Sequence, residues 1–176
     1  MPNKLIKHQR VIDDGWKTLV LTENETAAGV RLPVGPVIVP LDVWRSRKAE
    51  LIRREHEHGW ALGVWLAPNE GPEAIAADLD DFSVVAVHFP KFADGRGYST
   101  ARLLRERHGY RGELRAFGDL GQDQLLFLSR VGFDAFVLRE AEEDLEEALG
   151  AFEAFPEAYQ ASADQPLPLF RRRSAA

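Results

Sequence analysis

The sequence predicts an α/β fold of four consecutive strand–helix units, and three observations carry that expectation. Four short segments, at 60–66, 82–89, 112–117 and 133–138, read as strands that are buried rather than alternating. Each run is followed by a segment of helical character. Glycine and proline punctuate the joints between them. Buried strands alternating with helices imply a parallel sheet with right-handed crossovers. Two architectures satisfy this: half of a (β/α)8 barrel, or an open doubly wound sheet. Half a barrel leaves strand edges bare, so it needs a partner half or a covering arm.

The elements follow in order. Residues 1–40 read as a strand-like N-terminal arm, with a turn signal at Asp14-Gly15 and an apolar run at 34–40 punctuated by proline. Pro33, Pro36 and Pro40 each remove a ladder donor, which suits a sheet edge or a strap. Residues 41–155 form the α/β core. Asp42 is placed to cap a helix over 43–58, with Trp44, Leu51 and Ile52 on its buried face. Pro72 suits the first turn of a helix reaching 79. Helices are expected at 99–108 and 122–131. The clearest spans 140–155, where Ala141, Leu145, Ala148, Leu149, Phe152 and Phe155 fall at helical spacing opposite an acidic face. Residues 156–176 bear prolines and Arg171-Arg172-Arg173, and read as a C-terminal strap or tail.

Composition narrows the function. The chain has 176 residues, 45% hydrophobic and 28% charged, enough for one ordinary globular domain. Residues 1–10 are polar and basic with no apolar stretch behind them, unlike a signal peptide. No run approaches the roughly 18 apolar residues of a membrane span. A cytoplasmic protein is expected. There is no cysteine, which removes disulfides, thiolate-held iron–sulfur clusters and cysteine nucleophiles. With no dinucleotide fingerprint either, no cofactor is expected. The net charge of −6 argues against nucleic-acid binding. Opposed charge blocks, basic at Lys4, Lys7 and Arg10 and acidic at 140–147, are solvated faces or docking surfaces.

Ligands of parallel α/β folds bind at the carboxyl ends of the strands. The 82–89 strand ends there in His88-Phe89-Pro90-Lys91 and runs on through Asp94-Gly95-Arg96-Gly97-Tyr98-Ser99 into a helix. Gly95 and Gly97 permit positive φ and close backbone approach. Free N–H groups at the helix start, with Lys91 and Arg96, are what an anion site needs. The plainer alternative is a tight turn in which Arg96 pairs with Asp94 and Ser99 caps the helix. Asp119 closes the next strand on the same rim; a pair of carboxylates there suits acid–base work or a cation, but Asp119 or Asp123 is equally placed to cap a helix. His88 and Arg139 complete the candidates. The five histidines are scattered, so no metal site is assigned.

The run FPKFADGRGYSTARLLRERHGYRGELRAFGDLGQDQLLFLSRVGFDAF, residues 89–136, resembles the signature block of a bacterial family of unassigned biochemistry associated with assimilatory sulfite reduction. The closing YQASADQPLPLFRRR, residues 159–173, is similar to that family's ending. Matching positions include Phe89, Pro90, Asp94, Gly95, Arg96, Gly97, Tyr98, Ser99, Arg102, Arg105, Gly118, Asp119, Asp123, Gln124, Gly132 and Phe133. Leu120-Gly121-Gln122 departs from the usual bulkier aliphatic with a second polar residue. Members are described as probable oxidoreductases in sulfite reduction, encoded beside sulfite reductase and phosphoadenylylsulfate reductase. The resemblance implies a pathway and not a reaction. Three functions are therefore carried forward. One is an accessory protein that binds sulfite reductase or its electron donor, without a redox centre. Another is a pathway enzyme binding a sulfur oxyanion or sulfonucleotide at 91–99. The last is an oxidoreductase with bound flavin or nicotinamide. A homodimer is compatible with each.

Overall fold

The computed structural model describes residues 4–138, 144–153, 160–163 and 165–173. The chain starts with a hairpin of β1 (Lys4–Lys7) and β2 (Arg10–Asp13). His8 and Gln9 turn it, with φ of 47° and 58°, as a type I′ turn requires. Asp14-Gly15, the expected turn, instead belongs to a three-residue connection to β3 (Lys17–Thr18), in which Oδ1 of Asp14 accepts the Trp16 N–H.

β4 (Val37–Pro40) follows and is buried at every residue. It lies between β3 and β5 (Leu62–Leu66), hydrogen-bonded to both, and is neither an edge nor a strap. Pro33 and Pro36 precede the strand and Pro40 closes it, so no ladder donor is lost inside it. Pro40 is also the N-cap of α1 (Leu41–His58), which places Asp42 in the first turn, favourable to the helix dipole, and not at the cap. Trp44 and Leu51 are buried as expected. Gly59, at φ 66°, ends the helix and donates to the Glu55 carbonyl.

After β5 the expected helix does not form. Pro72–Ala74 and Leu79–Asp81 are single 3-10 turns. Ile75 and Leu79 point into the core, and Asp78 is taken by Trp44 Nε1 (2.9 Å) and Lys48 Nζ (2.5 Å). Tertiary bonds outcompete a short, uncapped helix. The rest runs as expected: β6 (Val84–Phe89), α2 (Arg96–Glu106), β7 (Glu113–Gly118), α3 (Leu125–Arg130) and β8 (Ala135–Val137). Of the helix expected over 140–155, the described part comprises α4 (Leu145–Ala148), capped by Asp144, and a 3-10 turn over Leu149–Glu153. Residues 140–143 and 154–155 lie outside the described residues. α5 (Leu169–Arg173) closes the tail. Among the described residues, no helix is long and apolar enough to cross a membrane.

The eight strands among the described residues form one sheet in the order β2-β1-β8-β7-β6-β5-β4-β3. From β4 to β8 the strands are parallel and follow chain order without a reversal. That is the winding of a half-barrel; a doubly wound sheet would reverse at a switch point. The N-terminal arm supplies both edges, β1–β2 against β8 and β3 against β4. It thereby covers the parallel edges that half a barrel would leave bare.

The curl is strong. β2 and β3 stand at opposite ends of the strand order, yet only Asp14, Gly15 and Trp16 join them. Four Cα steps reach at most roughly 15 Å. A flat eight-stranded sheet would separate its outer strands by roughly 34 Å. The sheet therefore bends until its ends approach one another. On its outer face Val39, Val64, Val85, Val87, Leu114 and Phe136 meet the helices in the main core. On the concave face Ile38, Val84 and Ala86 lie under Trp16, Trp65 and Phe117.

Candidate functional site

The parallel strands all end on one side, where the loop after β6 meets the loop after β7. Asp119 N donates to the Phe89 carbonyl at 2.7 Å, extending the pairing past the strand ends. Gly118, at φ 115°, sits where an added Cβ would lie 2.3 Å from that same carbonyl oxygen, so this crossing needs glycine.

The loop at 91–95 is clamped. Asp119 Oδ2 accepts the Phe92 N–H at 2.9 Å, and Gln124 Nε2 donates to the Phe92 carbonyl at 3.1 Å. Gln124 Oε1 in turn accepts the Gly121 N–H, the N-cap of the 3-10 turn Gln122–Gln124. Asp119 thus ties two loops together, while Gly121, and neither Asp119 nor Asp123, takes the cap position. Both backbone polar groups of Phe92 are held by side chains, yet its own side chain is exposed (45%). Lys91 beside it is exposed as well.

Asp94 and Arg96 form a two-pronged pair, Nε to Oδ1 at 2.9 Å and Nη2 to Oδ2 at 2.6 Å. Oδ1 also accepts the Arg96 backbone N–H. The Arg96 guanidinium, with Lys91 nearby, holds the Asp94 carboxyl down at about 2. Of the two readings the sequence allowed for this turn, the paired one is the geometry found. Gly95 is the N-cap of α2, at φ −83°, and Gly97 is helical, so neither uses positive φ. Gly97 is small for another reason. A Cβ there would come 2.4 Å from Cζ of Phe89, so the Phe89 ring and not a ligand occupies that space. Ser99 is exposed inside α2 and caps nothing. Tyr98 packs edge-on against Phe89, with ring centroids 5.8 Å apart, and its hydroxyl bonds the Gln124 side chain. Burial raises the Tyr98 phenol above its ordinary range.

His88 is not part of this cluster. It faces the concave side, stacked on Phe117 at 4.9 Å and edge-on to Trp65 at 5.7 Å, and burial lowers its pKa. Arg139 lies outside the described residues. The rim therefore gathers Lys91, Phe92, Asp94, Arg96 and Asp119, with Tyr98 and Gln124 as supports. Phe92 and Gln124 were not among the expected site residues. An aromatic side chain within a turn rich in charge and glycine was the available signal for Phe92.

Other signature positions have structural work. Arg105 donates to the carbonyls of Gly132, Tyr110 and Gly112 and to Asp134 Oδ2, fastening α2 to the ends of β7 and β8. Gly132, at φ 115°, leaves room for that side chain.

The molecule is thus a curled α/β half-barrel that presents a clamped loop at the carboxyl rim of its parallel strands. The family model for bacterial proteins of unknown function designated DUF934 matches residues 63–170, and the chain belongs to that family. No curated protein matches it.

Proposed function

We propose that this chain is a docking protein of assimilatory sulfite reduction, which binds sulfite reductase or that enzyme's electron donor through the loop at 91–96. One observation carries the docking reading: Phe92 is exposed while Asp119 and Gln124 fix its backbone. An aromatic side chain held ready in solvent binds without the cost of ordering its loop, the property of an interface anchor. Lys91 and the Asp94–Arg96 pair supply a polar rim around it. The pathway rests on the resemblance of residues 89–136 and 159–173 to the sulfite-reduction family. A chain without cysteine brings no thiolate chemistry, so in this reading the electrons stay with the partner.

A sulfur oxyanion or sulfonucleotide at the same loop has less support. Asp94 holds the Nε–Nη2 edge of the Arg96 guanidinium and already offsets its charge, so an anion there competes with a carboxylate in place. Bound flavin or nicotinamide rests on the family's descriptive label alone.

The test is affinity capture of the sulfite reductase subunits by the purified chain, at low and at physiological salt. The wild type binds, and Phe92→Ala loses binding while melting at the same temperature. Equal capture by Phe92→Ala, or no complex at either salt, overturns the proposal.

A further inference from the structure

On the outer face, residues 160–163 cross the groove between α2 and α3. The Ala163 N–H donates to the Arg130 carbonyl at 2.9 Å, and Arg130 Nη2 donates to the Gln160 carbonyl at 3.2 Å. This segment does not fill the groove. A cavity of about 330 Å³ remains, within the size range of small-molecule sites. Its walls are mainly apolar: Phe127, Val131, Ala161, Ala163 and the ring of Tyr98. Phe127 is 54% exposed, an apolar side chain left at the cavity mouth.

The polar groups are few and unequal in charge. Arg102 and Arg130 face one carboxylate, Glu106, which Arg102 already holds at 3.0 Å. Among the described residues no carboxylate pairs with Arg130, whose Nε is buried without a hydrogen-bond partner. Among the described residues the cavity therefore carries one guanidinium more than its carboxylates offset, against an apolar body. A guanidinium in such surroundings selects a carboxylate through charge-assisted bonds, and the apolar walls select what that carboxylate is attached to.

We infer that the cleft between α2, α3 and residues 160–163 binds a small monocarboxylate with an apolar body, its head at Arg130 and its tail against Phe127, Val131 and Ala161. The cleft shares Tyr98 with the rim but none of residues 91–96, and its probe and variants leave Phe92 untouched, so either reading can fail without the other.

The probe is octanoate, titrated calorimetrically into the full chain, with acetate, octanol and octylamine as controls. Octanoate binds one to one. Acetate, lacking the tail, and octanol, lacking the charge, bind at least about tenfold more weakly, the factor expected for one lost charge-assisted contact or a lost apolar tail. Octylamine does not bind. Ala161→Trp, which fills the cavity from an exposed position, abolishes octanoate binding, and Arg130→Met reduces it to the level of octanol. If circular dichroism shows that Ala161→Trp is unfolded, Phe127→Ser decides, because its exposed side chain forms the mouth; it weakens octanoate binding. Absence of saturable octanoate binding, equal binding of octylamine, or octanoate binding that the folded cavity variants leave unchanged overturns the inference.

Discussion

Arg115 and Asp14, 101 positions apart in the chain, meet at 2.8 Å on the concave face of the sheet, with 2% and 8% of their side chains exposed. Glu113 Oε1 takes the other side of the guanidinium, and its Oε2 binds Lys7 Nζ at 2.6 Å. Two cations and two carboxylates thus balance in a buried cluster that joins β1, β7 and the connection to β3. A charge left unmatched in such a place is costly. Asp14→Asn should lower the free energy of unfolding by about 3 kcal/mol, towards the lower end for broken buried pairs because Glu113 remains. Urea unfolding measures it; a loss well under 1 kcal/mol would mean that the pair is solvated.

The Asp94 carboxyl titrates below its ordinary range, at about 2 in the folded chain. A folded-state pKa below the unfolded one gives stability that is present above the unfolded value of about 3.9 and lost as pH falls through the folded value. The difference in melting temperature between wild type and Asp94→Asn should be constant above about pH 5 and shrink between pH 4 and pH 2. Carbon-13 titration of the Asp94 carboxyl reports the same midpoint directly.

Asp119 is a positioning residue for Phe92. Its carboxylate accepts the Phe92 N–H, so that amide should exchange slowly with solvent in the wild type and at least about tenfold faster in Asp119→Ala. Partner capture should weaken in parallel while the Phe92 side chain itself is untouched. Rapid exchange in the wild type would remove the clamp.

The glycines at 95 and 97 separate packing from ligand approach. Gly95→Ala has open space around the new Cβ and an unstrained φ of −83°, so it should change stability by less than about 0.5 kcal/mol. Gly97→Ala drives a methyl into the Phe89 ring and should cost about 1–3 kcal/mol. Thermal or urea unfolding of the two variants distinguishes them, and equal behaviour would place the Phe89 ring elsewhere.

The sequence was most legible where burial was uniform. β6 lies within the apolar run at 82–89, because a strand covered on both faces has no polar alternation to obscure it; β7 falls one residue later than the expected 112–117. The Asp94–Arg96 pair was readable as one of two options because the residues are two apart. The helix expected after β5 does not form because Asp78 is engaged by Trp44 and Lys48 from α1, partners 34 and 30 positions away. The covering role of the arm was an expectation, but distance in sequence hid its particular pairings. Nothing local in residues 4–7 announces that Ile6 pairs with Phe136, or that Asp14 reaches Arg115. Phe92 gives only a faint signal, because a single aromatic residue in a short loop reads as filler until its backbone partners are known.

The pairing of Ile6 with Phe136 also sets an order of events at the ribosome. β1 is made before every parallel strand, and its neighbour β8 is the last of them. At ~5–20 residues per second, β1 waits on the order of ten seconds before its site exists. Throughout that interval the parallel strands already synthesised lack one of their two flanks. A nascent chain of this topology spends its youth with an open edge, which closes only once β8 has emerged and β1 can dock on it.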